Sequence, residues 1–442
     1  MTANRAFRTL SRFAADLSGG ATAYGLLLMF TLLMAGGYAV DVQNVMTART
    51  QLQTAADSAA HAALLARETK TEAEAKAAAV QVANLNMPTG IYGSTLDVED
   101  VVFGDWDEVT RTFTPSPGSR DAVQVTAWRS TDRNNSVATY LLKLVGNDSW
   151  NVVVSSTYVT YHPTCLREGF VAQDVVDLQS NNSFTQGFCI HSNAYVSLNS
   201  NNYFEPGTVV SMTDLDDIDL PNSGYKTNTG LQEALREGSW NIRMVSRIDD
   251  VIQGLTELKA QYKPDYITAT AFMNLPSATV LQSHLVAGRA YRFTCPSSTG
   301  RLTIDRDVTV SKVIILTNCE VFFRSGVKLE DAVIATTATG AKSISSASSG
   351  TGLTVGKPDN CAPGGDAQLL TMGGMEFPSK LSIFNGQFLA VGDIQFAANA
   401  EGVKGAAMVA GGQISGTSNM TMAFCGTGME NNFHAEYFRM VR

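Results

Sequence analysis

The sequence predicts an α+β module carried on a transmembrane helix and followed by an all-β domain built as a parallel β-helix, a solenoid. Three observations make that prediction. Residues 21–40 form a charge-free apolar run, the apolar pattern changes from steps of three and four to alternation near residue 94, and two Asn- or Gly-rich motifs beyond 165 are each echoed 20 residues later.

The first element is the run ATAYGLLLMFTLLMAGGYAV at 21–40. Twenty residues of helix span roughly 30 Å, about one hydrocarbon core. Arg5, Arg8 and Arg12 precede it against Asp16, and Asp41 follows it. The basic flank predicts a cytoplasmic segment at 1–20, with the remainder of the chain on the outer side of the membrane. A cleaved signal peptide is the competing reading, since Ala35-Gly36-Gly37 offers small residues. A helical pattern that continues past Asp41 favours an anchor.

Residues 41–160 read as a long helix plus an antiparallel sheet. Val45, Ala48, Leu52, Ala55, Ala59 and Ala62 mark one helical face, and Lys70/Glu74 and Glu72/Lys76 are opposite charges four residues apart. Asn86, Pro88 and Gly90 end that pattern. Alternation follows at Leu96, Val98, Val101 and Phe103, at Val123, Val125 and Ala127, and at Val152 and Val154. The module is pilin-like in outline. Its small-residue face suits packing on its own sheet, with a homo-oligomeric coiled coil as the alternative.

From 161 to 442 short β-rich runs alternate with Asn, Ser, Gly and Thr. Leu178-Gln179-Ser180-Asn181-Asn182-Ser183 has an echo in Leu198-Asn199-Ser200-Asn201-Asn202-Tyr203, and Ile394 in Ile414, each a step of 20. Such a step suits one coil of a parallel β-helix, whose Asn side chains can bond along the stack. A β-sandwich uses the same residues and is the alternative. A helical insertion is expected at 229–262 from Leu231, Leu235, Ile242, Val245, Ile248, Ile252, Leu255 and Leu258, closed by Pro264. It could cap or flank the coils.

All six cysteines, Cys165, Cys189, Cys295, Cys319, Cys361 and Cys425, lie beyond the apolar run, and no Cys-x-x-Cys occurs. An even count on the outer side predicts disulfides. Six cysteines allow 15 pairings. Two equal separations of 24 favour 165–189 and 295–319, which leaves 361–425 by elimination.

Nothing in the sequence builds a catalytic or metal site. The acidic candidates are Asp214, Asp216, Asp217 and Asp219 in one loop, and Asp305 and Asp307 beside Arg301 and Arg306. The first group lacks the calcium-loop spacing, and the second reads as the outer face of a strand. His61, His162, His191, His284 and His434 are scattered. Gly350, Gly352, Gly356 and Lys357 resemble a phosphate loop only until Pro358, which stands where Ser or Thr is required. No catalytic, cofactor-binding or metal residue is therefore expected. With 32 Lys+Arg against 41 Asp+Glu the net charge is −9, which excludes a nucleic-acid partner.

The run from Ser18 through Ala66 resembles the N-terminal segment of TadG-like and TadE-like proteins of bacterial Flp (Tad, tight adherence) pilus assembly systems. The matching parts are Gly19-Gly20, the membrane-exit motif Ala39-Val40-Asp41, Leu52-Gln53, Ala55-Ala56-Asp57 and Ala59-Ala60. Gly104-Asp105-Trp106-Asp107, Asp121-Ala122-Val123-Gln124-Val125 and residues 140–146 extend the resemblance to about residue 160. Gly25 stands where pseudopilins of these systems carry Glu, so prepilin-type processing is not expected. The Asp-x-Ser-x-Ser metal motif of von Willebrand A domains is absent. The resemblance implies a single-pass inner-membrane protein, bulk periplasmic, that serves as a non-catalytic assembly or scaffold component alongside other pilus assembly subunits. A homo-oligomer and a glycan ligand are further partner readings. The alternative function is a membrane-anchored β-helical carbohydrate-active enzyme or glycan-binding protein.

Overall fold

The computed structural model describes residues 19–297 and 300–442. The basic flank with Arg5, Arg8, Arg12 and Asp16 lies outside the described residues. Two units form: Met1–Tyr161 with Glu436–Arg442, and His162–Ala435.

In the first unit, helix α1 runs through Gly19–Arg67. Its first half is long and apolar enough to cross a membrane, and Leu27, Phe30 and Leu33 stand exposed on it. Its second half buries a stripe of Leu52, Ala55, Ala56, Ala59, Ala60, Ala63 and Leu64 against Val123, Val125, Val154 and Phe103. Alanine at these positions lets the sheet approach closely; an added branched side chain would overpack at a cost of about 1–3 kcal/mol. The helix does not continue to Asn86. It stops at Arg67, and Thr71 starts α2 (Glu72–Asn86) with a capping box to Glu74. Lys70 therefore precedes the second helix, while Glu72 and Lys76 do pair at 2.9 Å.

The sheet is antiparallel, in the order Thr112–Pro115, Val101–Asp107, Ala122–Arg129, Val152–Tyr161 and Tyr437–Met440. The last strand corrects the expected division, which placed everything after residue 160 in the outer domain. Tyr437 pairs with Tyr161 and Met440 with Tyr158, so the chain's end completes the first sheet. Glu68 accepts the backbone N–H of Glu436 at 3.1 Å and fixes its start.

The second unit is rich in strands, and each of its strand pairings among the described residues is parallel. A β-sandwich, which needs antiparallel neighbours, is thereby excluded. Val176 pairs with Val196 and Leu178 with Leu198, a register step of 20, and Ile394 pairs with Ile414 in the same way. Phe170, Leu178, Phe184, Ile190, Leu302, Val321, Ile334, Phe388 and Met408 point into one continuous core.

The order of the strands is not the order of the chain. Gly169–Ala172 lies between Cys189–Ser192 on one side and Ile394–Ala410 on the other. From there the chain proceeds outward to Leu235–Glu237, crosses back, and re-enters at Phe272–Asn274 to run toward its own starting strand.

The crossing differs from the continuous helix expected at 229–262. A four-residue helical turn, Leu231–Ala234, leads into the strand Leu235–Glu237, and only Arg243–Thr256 forms a longer helix, α3. Met244, Ile248, Val251, Ile252 and Leu255 make its buried face. That face lies against Ala367–Thr371, Met375–Ala390 and Ile394–Ala410, so the helix flanks the strands. The structure joins Cys165–Cys189, Cys295–Cys319 and Cys361–Cys425, and no cysteine is left free among the described residues.

Candidate functional site

The exit motif becomes a latch in the first unit. Asp41 is fully buried one turn beyond Gly37 on α1. Its Oδ1 accepts the backbone N–H of Tyr140 at 2.6 Å, and its Oδ2 those of Leu141 at 3.0 Å and Leu142 at 2.7 Å. Three successive N–H groups at the start of the 3-10 turn Leu142–Val145 thus converge on one carboxylate. Desolvation works against the charged form, but these three bonds, with Lys143 nearby, hold the Asp41 carboxyl below the ordinary carboxylate range. Asn44 Nδ2 adds a bond to the carbonyl of Ala138 at 3.1 Å. Ala39 and Val40 make no such contact; Val40 is exposed.

Gly37 completes the arrangement. A Cβ added there would lie 2.8 Å from Cβ and Cδ1 of Leu141, so only glycine lets the turn seat on the helix. Two motifs about 100 residues apart, 39–41 and 140–146, are therefore one structural device. The other resembling segments are also structural. Gln53 Nε2 donates to Asp57 at 2.8 Å and to the carbonyl of Ser155 at 3.3 Å, and Gly104 has no room for a Cβ beside the Thr114 carbonyl.

In the second unit an open groove of about 670 Å³ collects Asp265, Glu330, Asp331, Asp359 and Glu430 with Lys312 and Lys357. Most of these acids already hold backbone. Asp331 accepts the N–H of Gly365 at 2.7 Å, Asp359 that of Ala362 at 3.1 Å, and Glu430 that of Gly428 at 3.0 Å. Beneath them the buried Asp366 accepts the backbone and side-chain N–H groups of Asn431, both at 2.9 Å. Burial raises the pKa of Asp366, reinforced by Asp331 and Glu430 and opposed by the Asn431 bonds. Burial likewise keeps the Tyr266 phenol protonated well beyond its ordinary range, with Asp366 and Asp331 adding to the effect.

A smaller pocket of about 320 Å³ holds His162, Arg167, Glu168, Asn432 and His434, with the two imidazoles 5.2 Å apart. Glu168 accepts the N–H groups of Cys425 and Gly426, both at 2.5 Å, and burial raises its pKa against those bonds. Among the described residues no group of His, Cys, Asp and Glu is arranged to hold a metal ion.

The acidic candidates read from sequence do not meet in either place. Asp214 caps its own turn by accepting the Asp216 N–H at 2.9 Å, and Asp219 accepts from Ser197 at 2.9 Å. Asp305 pairs with Arg324 at 2.8 Å and Arg301 with Glu320 at 3.4 Å, side by side on neighbouring strands. His191 is fully buried, stacked on Trp240 at 4.2 Å, and bonded to Ser211 and Asn193. The groove acids were missed because they come from positions 265 to 430 and converge only through strand stacking. The partner of Asp41 had a signal, since both motifs stood in the sequence; what was missing was a reason to join them.

These features define a class: a long, half-apolar helix packed on a small antiparallel sheet, joined to a large parallel-stranded unit. Residues 19–79 match the family described as "Putative Flp pilus-assembly TadE/G-like" (Tad). Residues 169–426, more than half of the chain, match the family described as "Domain of unknown function (DUF7867)", and the chain belongs to it. No curated protein and no solved structure matches the chain.

Proposed function

We propose that this chain is a membrane-anchored, non-catalytic assembly or scaffold protein of a Flp/Tad-type pilus system. It crosses the inner membrane once at 21–40, N-terminus in the cytoplasm, and presents a β-solenoid in the periplasm to other pilus assembly subunits. The observation that carries the reading is the Tad match at 19–79 on a helix whose exit residue, Asp41, latches the folded unit beside the apolar run. Such a latch transmits position from membrane to domain, which a scaffold needs and a free-floating enzyme does not. The three disulfides suit an oxidising compartment. The 20-residue register and single core support the solenoid.

A glycan-binding or carbohydrate-active reading draws on the groove at Asp331 and Glu430. It ranks second because Asp331, Asp359 and Glu430 each fasten a loop backbone. Photocrosslinkers placed along the parallel-stranded unit, in cells assembling pili, test both. Capture of pilus-machine subunits supports the scaffold; recovery of polysaccharide alone sinks it. For orientation, Val109→Cys, 93 % exposed, should react with an impermeant thiol reagent in spheroplasts, and labelling only after lysis would refute the topology.

A further inference from the structure

We infer that the turn latched by Asp41 is itself a membrane-inserting element, seated in the interfacial layer of the bilayer that α1 crosses. The inference rests on the anchor reading and adds a second point of contact. Leu141 packs on Gly37, three residues (about 4.5 Å) inside the end of the apolar run. Around it Tyr140, Leu144 and Val145 are 59 %, 78 % and 59 % exposed. Five apolar or aromatic residues, Tyr140, Leu141, Leu142, Leu144 and Val145, interrupted only by Lys143, form an apolar tip that meets α1 at Gly37, where Leu33 and Tyr38 also stand exposed.

Water is a poor solvent for such a tip, and the acyl–headgroup boundary is a good one. Six backbone N–H groups that the tip would carry downward have partners within the protein. The N–H groups of 140–142 end on Asp41, those of Leu144 and Gly146 on the carbonyls of Leu141 and Lys143, and that of Asn147 on Leu142. Gly146, with φ 88°, turns the chain away immediately afterward. Lys143 can extend its ammonium toward phosphate, and Tyr38 and Tyr140 are aromatics of the kind that favour this layer. The occupant of the apolar surface is therefore lipid, with anionic headgroups favoured by Lys143.

The test uses the full chain, native disulfides intact, in nanodiscs of phosphatidylethanolamine and phosphatidylglycerol. A thiol-reactive, polarity-sensitive fluorophore is attached to Leu144→Cys and, separately, to Val145→Cys, Phe30→Cys and Val109→Cys. Quencher-bearing lipids then read depth. The probes at 144 and 145 should shift to the blue and lose most of their emission to a headgroup-proximal quencher. The probe at 30 should respond to a mid-chain quencher and the one at 109 to neither. If 144 and 145 behave like 109 while 30 is quenched, the anchor stands and the insertion is wrong. If 30 is unquenched, the anchor reading itself fails. A lipid quench at 144 that appears only as protein is diluted in lipid would show that a second copy covers the turn, and would overturn lipid as its occupant.

Discussion

Asn202→Ala should unfasten one rung of the second unit while leaving its apolar core whole. Asn182, Asn202 and Asn228 are 1 %, 2 % and 1 % exposed. The Asn202 side chain accepts the Asn182 N–H at 2.9 Å and donates to the carbonyl of Asn199 at 2.9 Å and to Oδ1 of Asn228 at 3.1 Å. Asn182 passes the pattern on, accepting the Met420 N–H at 3.0 Å. Alanine leaves the Asn182 N–H and the Asn199 carbonyl without partners. At about 1–3 kcal/mol per orphaned group the loss is about 2–6 kcal/mol, or at least about a 30-fold larger opening constant. Hydrogen exchange on the full chain should report that change at residues 181–184, with smaller effects away from the stack. The neighbouring Asn199→Ala, whose side chain is exposed, should stay within about 0.5 kcal/mol of the parent. Equal effects of the two substitutions would refute the ladder as a determinant of stability.

Other consequences are equally specific. Gly37→Ala should speed hydrogen exchange at 139–146, and Leu141→Gly on the same chain, which removes both the Cβ and the Cδ1 it meets, should relieve part of that loss; strictly additive losses would deny their contact. Replacing Cys295 and Cys319 together by Ser opens a 24-residue link and should cost about 3 kcal/mol in urea unfolding. Non-reducing peptide mapping that returned a crossed 189–295 link would contradict the pairing. His191 is held below the ordinary histidine pKa by burial, opposed by its Asn193 bond. Its contribution to stability is therefore fully present above the ordinary value and is lost as pH falls from there toward the lowered one. In His191→Gln the acid limb of stability against pH should be flatter, and an unchanged limb would place the titration elsewhere.

Local chemistry was legible in the sequence wherever one residue type had one job. The charge-free run, the small-residue stripe at Ala48, Leu52, Ala55 and Ala59 and the strand alternation at 123–127 each appear as elements of the structure, while Ala62 at the end of the expected face is only half-buried. The Asn echo pointed to a real ladder because a buried amide has few ways to satisfy both its ends. The single helix expected to run on to Asn86 broke for a local reason: Thr71 and Glu74 form a capping box, and that signal competes directly with continued apolar spacing. At 229–262 the apolar spacing was compatible with helix throughout, but Leu235 was recruited to pair with Val210, and strand pairing overrode periodicity.

What stayed hidden was placement in space. A parallel strand shows the same inward apolar residues whichever neighbour it meets, so Ile414 could pair with Ile394 alone or also with Val176, as it does. Nothing in the spacing says that the strand at 169–172 becomes an interior strand, covered later by residues 407–410. That closure has a physical consequence for folding. Residues 169–185 can stack on 189–204 early, but their other edge stays open until residues 407–423 arrive, more than 200 positions later. Closing such a loop costs entropy before the contact rewards it, and an unpaired edge invites pairing with another chain. The final strand, Tyr437–Met440, then leaves this unit to finish the first sheet. The two units therefore cannot be completed in sequence order: the sheet packed on α1 waits for its last strand until the whole parallel-stranded unit has been traversed.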